Sequence, residues 1–361
     1  MGVKSLAGSS PVLGTCLRIL RDADGAAARP PLPSRMAGQT TKKRRAGAGR
    51  KPVEIPEDQD HVELVIDGKP LKLTNLRKVF WPELGLNKGD LLRYYRDVAH
   101  VLLPHLRDRA MVMKRYPDGA AGKFFFMKRV PPRRPDWLET CAIPHAEDDT
   151  IMAPVVNDLA SLLWVVNLGC IDLNPWYGKC DDPRKPDSMN FDIDPVKGNK
   201  PVPFAKVLDA ALAVRDGLQA IGIQGYAKTT GSRGIHVSVP IRRGPDQEEV
   251  WRVAKGFALV LGRQHPKLLT TVYAVAKRPP GTVLVDYNQN AWGRTLASAY
   301  SVRPTPRATV SAPVKWSEIE RGIRMEDFRI DTMPRRIARV GDLLSPMLNE
   351  KKRVDLSALL K

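Results

Sequence analysis

A chain of 361 residues, 43% hydrophobic and 27% charged, can bury a substantial core, and its length alone suggests about two domains. The net charge is +19: eleven Lys or Arg against three acids put +8 on residues 1–55 and leave +11 on the rest. A basic body without a long apolar span or a strongly amphipathic basic helix favours a polyanion as partner, nucleic acid before membrane, with solubility alone as the bland alternative.

Residues 1–55 are rich in Ala, Gly, Pro and basic residues, including Lys42-Lys43-Arg44-Arg45, and read as a disordered basic N-terminal arm, with Met36 as an alternative start. No apolar core precedes a small-residue cleavage site, which argues against secretion and for a cytoplasmic, nucleoid-associated protein. Cys16, Cys141, Cys170 and Cys180 show no CxxC spacing and no nearby His cluster, so neither a zinc site nor a disulfide framework is expected and all four read as reduced.

Order is expected from near His61, where two alternating runs flank Asp67-Gly68 as a hairpin. From Asn87, Leu91, Leu92, Tyr95, Val98, Val101 and Leu102 recur at helical spacing. Further helices are expected at about 157–168, 203–221 and 246–264, strands at about 123–128, 190–194, 225–230, 235–241 and 283–287, and helix again after about 320. Strands and helices alternate without a regular βαβ repeat, so the fold class is α+β, with mixed or antiparallel sheets flanked by helices.

Chemistry concentrates in three stretches. In Asn190-Phe191-Asp192-Ile193-Asp194-Pro195 an extended backbone sends both carboxylates to one face, where their repulsion calls for a counter-ion, most naturally a divalent metal. A DxD string alone is as well explained by a solvated turn. A third acid, Asp286, ends an apolar β-branched run, and three carboxylates around two metal ions would serve an in-line phosphoryl displacement. Between two expected strands, Thr229-Thr230-Gly231-Ser232-Arg233-Gly234-Ile235-His236 combines glycines, hydroxyls and a fixed cation in a turn suited to a triphosphate, or to an ordinary hairpin. Arg278, Gln289 and Arg303 are candidate phosphate or sugar contacts near the third acid. Phe124-Phe125-Phe126 cannot all face one core, so either an outward ring offers a stacking platform or the strand is buried on both faces.

Taken together, NFDIDP, TTGSRGIHV and LVDYNQN resemble the archaeo-eukaryotic primase superfamily, specifically the polymerase domain of bacterial DNA ligase D and its stand-alone relatives. The flanks match too, in Leu73-Thr-Asn-Leu-Arg-Lys-Val79, Lys114-Arg-Tyr-Pro-Asp-Gly119 and Ser311-Ala-Pro-Val314. The resemblance covers about residues 60–345 and implies one primase-like catalytic unit, residues 56–345, with a helical tail at 346–361, in place of the two domains that length suggests. It implies Asp192, Asp194 and Asp286 as catalytic ligands of two Mn²⁺ or Mg²⁺ ions. It further implies Lys114, Phe125, Phe126, Thr230, Ser232, Arg233, His236, Arg278, Gln289 and Arg303 around an incoming NTP or dNTP, and Lys78 with Lys88 on a DNA 5′-phosphate. The function so implied is a DNA-repair primase-polymerase that fills short gaps or extends broken ends and prefers ribonucleotides. Its partners would be gapped or broken DNA, an ATP-dependent ligase of the ligase C type and the end-bridging protein Ku. Two departures are Asn174-Pro175-Trp176, where relatives commonly carry His-Pro-Trp, and Arg233 in place of the usual lysine. No KxDG motif is present, so nick sealing is not expected of this chain. The rival readings are a non-catalytic DNA-end-binding module that recruits a ligase, and a metal-dependent nuclease.

Overall fold

The computed structural model describes residues 53–146, 149–196 and 201–360, so the expected arm lies outside them except for its last three residues. β1 (Val62–Ile66) pairs antiparallel with β2 (Lys69–Leu73) around Asp67 and Gly68, both at positive φ (54° and 78°), as a two-residue hairpin turn requires. A short ladder of β3 (Val79–Trp81) and β4 (Leu86–Asn87) leads into α1 (Lys88–Leu106), whose first turn is closed by an Asn87–Asp90 capping box. The helical-spaced Leu91, Leu92, Tyr95, Val98 and Leu102 are buried beneath it.

Next come β5 (Met111–Arg115), β6 (Phe125–Met127), a separate hairpin of β7 (Thr140–Ala146) and β8 (Asp149–Pro154), α2 (Leu159–Asn167) and β9 (Cys170–Pro175). β6, β5 and β9 form a three-stranded antiparallel sheet. β9 is buried on both faces and therefore shows no alternation to read in sequence. A small β10 (Gly178–Lys179) and β11 (Asp182–Pro186) pair follows.

The main sheet is built from β12 (Ser188–Pro195), α3 (Phe204–Ala220), β13 (Tyr226–Thr229), β14 (Ile235–Pro240), α4 (Gln247–Gln264), β15 (Leu269–Thr270), β16 (Val283–Asp286) and β17 (Pro313–Val314). Its order is β15-β16-β12-β14-β13-β17; β15 and β16 run parallel and the other neighbours antiparallel, the mixed sheet of an α+β fold. On β12, Met189, Phe191 and Ile193 turn back into the core, with the Phe191 ring 5.1 Å from Phe257 of α4. Alternation sends Asn190, Asp192 and Asp194 to the opposite face.

Two expectations change here. Helix was expected throughout the region after residue 320, but the chain forms α5 (Trp316–Arg321), α6 (Met333–Val340) and then only 3-10 turns at Ser345–Leu348, Glu350–Lys352 and Ser357–Leu359. Gly341 at φ 68° stops α6, and the chain beyond is stitched to the end of β14 through Val354 N–H to Pro240 O (2.8 Å) and Arg242 N–H to Val354 O (2.8 Å). Leu356 and Leu359 are buried in the same core as the main sheet. Cys141 on β7 and Cys180, expected to be reduced, form a disulfide with Cα atoms 5.6 Å apart; 39 residues separate them, a proximity that sequence spacing cannot express. Cys170 is free and buried. No helix among the described residues is long and apolar enough to cross a membrane.

Candidate active site

β12 lies between β14 and β16, and their register sets Asp192 opposite His236 on one side and Asp286 on the other. Asp192 and Asp194 open onto a cavity of about 470 Å³ whose far wall is the sheet of β5, β6 and β9. The same cavity is lined by Lys114, Phe126, Thr230, Ser232, His236, Gln289 and Arg303. Most of the side chains singled out in the sequence thus meet at one place, although they come from six separate segments.

The acids are held under electrostatic tension. Burial pushes both Asp192 and Asp194 well above the ordinary carboxylate range; the charge of Asp192 adds to the rise at Asp194, while nearby Arg233 and Arg303 oppose it. Burial also raises Asp286. Asp192 Oδ1 is buried and accepts no hydrogen bond. A buried carboxylate oxygen with no hydrogen bond, 3.3 Å from His236 Nε2, and three hard oxygen donors on adjacent strands fit a divalent cation of the Mg²⁺ or Mn²⁺ type. Among the described residues no three His, Cys, Asp or Glu side chains already converge as a ligand set. Asp286 is turned instead to Gln289 Nε2 (2.9 Å) and the Asn288 backbone N–H (2.8 Å), both of which donate to it.

The glycine turn differs from the expected cradle. Thr230 Oγ1 accepts the backbone N–H groups of Ser232 (3.1 Å), Arg233 (3.2 Å) and Gly234 (3.0 Å), so those donors point inward. What the turn offers outward is the Ser232 hydroxyl and the exposed Arg233 guanidinium. Gly234 is required by the acids: a Cβ there would stand 2.2 Å from Asp194 Oδ1 and 2.4 Å from Ile193 O.

The remaining candidates divide. Phe124, Phe125 and Phe126 are all exposed; Phe126 faces the cavity, whereas Phe125 lies on the other face beside Arg115 (5.2 Å). Lys114 sits 4.1 Å over the Phe124 ring. Arg278 is not in the cavity wall: its guanidinium donates to Val272 O and Tyr273 O (both 2.9 Å), closing the loop before β16. Lys78 and Lys88 are brought together by the β3–β4 ladder, Lys88 N–H donating to Lys78 O (2.9 Å). Lys78 is partly exposed and paired with Asp118 (3.0 Å). The Lys88 ammonium points inward to Thr74 O (2.6 Å) and Asn167 Oδ1 (2.8 Å), and burial lowers it to about 8. Its 5′-phosphate role would require a different rotamer.

The model of the LigD primase-polymerase domain matches residues 87–344. This chain belongs to that family. The multifunctional non-homologous end joining protein LigD of Mycolicibacterium smegmatis is 31% identical over 77% of this chain, and the bifunctional LigD of Bacillus subtilis 28% over 83%. The chain spans 36% and 48% of the length of those two relatives. The solved polymerase domain from Mycobacterium tuberculosis ligase D, in complex with DNA, superposes with a TM-score of 0.71 at 31% identity, covering 77% of this chain and 98% of that one. The α+β primase-like fold expected of the LigD family is the fold observed.

Two further residues of this LigD-type site carry buried charge that the sequence reading missed. Asp172 on β9, 1% exposed, lines the cavity and stands 2.9 Å from Arg303 Nε and 3.6 Å from Lys114 Nζ. Arg303 also donates to Thr230 O (2.8 Å), so Asp172 holds two cations at the cavity wall and ties one to the glycine turn. Asn174 donates from Nδ2 to Asp172 O (3.0 Å). The second residue is Lys228 on β13, buried behind His236. The hairpin register Lys228↔His236 was derivable once the strands either side of the turn were placed; β9 gave no comparable signal.

Proposed function

We propose that this chain is a template-directed nucleotidyltransferase of DNA repair, filling short gaps or extending broken ends, with ribonucleotides preferred. The observation that carries this reading is the register of Asp192 with Asp286 on the neighbouring strand, where Asp192 and Asp194 line a cavity rimmed by Lys114, Arg303 and Ser232. Asp192, Asp194 and Asp286 would hold the divalent ions, manganese or magnesium, which when bound neutralise the attacking and leaving oxygens of phosphoryl transfer. Lys114, Arg233 and Arg303 bind the triphosphate charge, and the Ser232 hydroxyl donates beside them. Phe126 offers its face to a base. Gln289 changes partner from Asp286 to substrate when Asp286 turns to its ligand position.

Lys78, on the protein's rim, takes the 5′-phosphate side of a gap, with Lys88 joining by rotamer change. A ligase C type enzyme would seal the product, and a Ku-type protein would hold broken ends together, in keeping with the end-joining names of the curated relatives. The test is incubation of end-labelled gapped DNA with Mn²⁺ and either ribo- or deoxynucleotides. Extension that is lost in Asp192→Ala while DNA binding persists supports the polymerase; shortening indicates a nuclease, and binding without chemistry an end-recruitment module.

A further inference from the structure

Beyond β17, the edge strand of the main sheet, α5 and α6 flank a cavity of about 660 Å³ that shares no lining residue with the candidate active site. Its acids are already paired. Glu318 accepts from both Nη atoms of Arg336 (2.8 and 2.7 Å), and Arg336 also donates to Pro313 O (3.1 Å) and lies 4.9 Å from the buried ring of Phe328. Asp327 accepts from Arg324 (3.0 Å), and Asp331, beside the cavity in the chain, from Arg329 (2.9 and 2.6 Å). Arg321, Arg335 and Arg339 line the same cavity and are exposed; among the described residues no carboxylate stands within ion-pair distance of any of them. Arg335 and Arg339 share one face of α6, about 6 Å apart along its axis, and Arg321 joins them from the end of α5. Three like charges brought together by two elements repel one another unless an anion lies between them.

We infer that this cleft is a second contact for DNA, in which Arg321, Arg335 and Arg339 hold the phosphodiester backbone apart from the site of chemistry. The guanidinium fork matches phosphate oxygens two at a time, and a contact of this kind adds affinity without reading sequence. The cleft is also tied to the Lys78 rim. Trp81, on the strand that follows Lys78, donates from Nε1 to Thr305 O (2.9 Å); further along the same segment Thr309 bridges to Arg329, and Val310 N–H donates to Phe328 O (2.8 Å). One short stretch of chain thus connects the two cationic places, as a track for an extended polyanion requires. An acidic peptide would fit the same forks, but the net charge of +19 and the link to Lys78 favour DNA. The inference rests on the DNA-repair reading for the identity of that polyanion.

The test is made on the full chain. In Arg335→Gln/Arg339→Gln, the slope of log affinity for duplex DNA against log salt should be shallower than in the wild type by about 1 to 2, with affinity at low salt about tenfold weaker. The loss should be the same with and without a 5′-phosphate, which separates this contact from Lys78. Incorporation at saturating gapped DNA should keep the wild-type rate. Arg263→Gln/Lys267→Gln, which removes equal charge from exposed positions toward the opposite, β15 edge of the sheet, should leave the slope nearly unchanged. No change in the first variant, or equal changes in both, overturns the inference. So does calorimetric binding of inorganic tripolyphosphate or of a polyglutamate peptide that is lost in the first variant while the duplex slope stays put; the cleft would then serve a free anion or an acidic partner. Where the double variant does not fold, Arg321→Gln on the other wall carries the same test. A slope that falls in a chain that incorporates no nucleotide refutes the polymerase reading and leaves the cleft standing; wild-type extension with an unchanged slope does the reverse.

Discussion

Asp192 has strands on both sides, each presenting a partner at its height, His236 from β14 and Asp286 from β16. Crowding acids on a buried floor has a thermodynamic signature. Because Asp192 and Asp194 are raised in the fold, the native state holds more protons than the unfolded chain between the ordinary carboxylate range and neutrality. Stability of the metal-free protein should therefore fall as pH climbs from about 4 toward neutral. Asp194→Asn should flatten that profile and raise Tm in EDTA at neutral pH by a few degrees, and Mn²⁺ should do the same for the wild type. Calorimetric scans across pH check this; a flat wild-type profile would show the pair to be hydrated in solution. Gly234 gives a second residue-scale prediction. Gly234→Ala places a Cβ 2.2 Å from Asp194 Oδ1, and the displaced carboxylate should cost about a hundredfold in incorporation rate with DNA affinity retained. Single-turnover extension separates these two quantities.

At the scale of elements, the β3–β4 ladder juxtaposes Lys78 and Lys88 yet gives them unequal environments. Lys78→Ala should weaken binding to gaps carrying a 5′-phosphate by several-fold and leave unphosphorylated gaps nearly untouched. Lys88→Ala should also lower Tm, since it leaves Thr74 O without its donor while Asn167 Oδ1 keeps the Thr74 N–H (3.0 Å), at about 1–3 kcal/mol. Fluorescence anisotropy with paired substrates and thermal scans distinguish the two, and equal losses on both substrates would reduce Lys78 to general electrostatics. How legible an element was depended on its burial. β12, β13, β14 and β16 lay close to their expected spans, and α1 to α4 lay close to the expected helices, with Asp158 and Asp246 capping two of them. β5 and β9, which carry Lys114, Asp172 and Asn174, were not foreseen, because strands covered on both faces have no alternation to read.

Across the whole molecule, one hydrophobic cluster runs from Ile55 to Leu359. The C-terminal turns are therefore part of the same folded body as the main sheet, and Leu356→Ala should cost about 2–5 kcal/mol in urea unfolding, as for any core leucine. A cost near zero would restore the picture of a detachable tail. The basic residues of positions 1–52 belong to the same scale: their deletion should lower the slope of log DNA affinity against log salt, a sequence-independent effect that titrations at several salt concentrations measure.

Local order alone determined a good deal of this protein. The alternation that turns Asp192 and Asp194 to one face, the glycine turn before His236, the basic surface and the order of most strands and helices all follow from neighbours along the chain. Tertiary structure decided what depends on distant segments meeting. It turned the Lys88 ammonium inward, committed Arg278 to loop carbonyls, joined Cys141 to Cys180, set Asp172 in the cavity wall against Arg303 and Lys114, and placed Lys228 behind His236. The physical reason is that a side chain's type fixes the bonds it is able to make, whereas burial and the groups brought against it by the fold select which of those bonds it keeps.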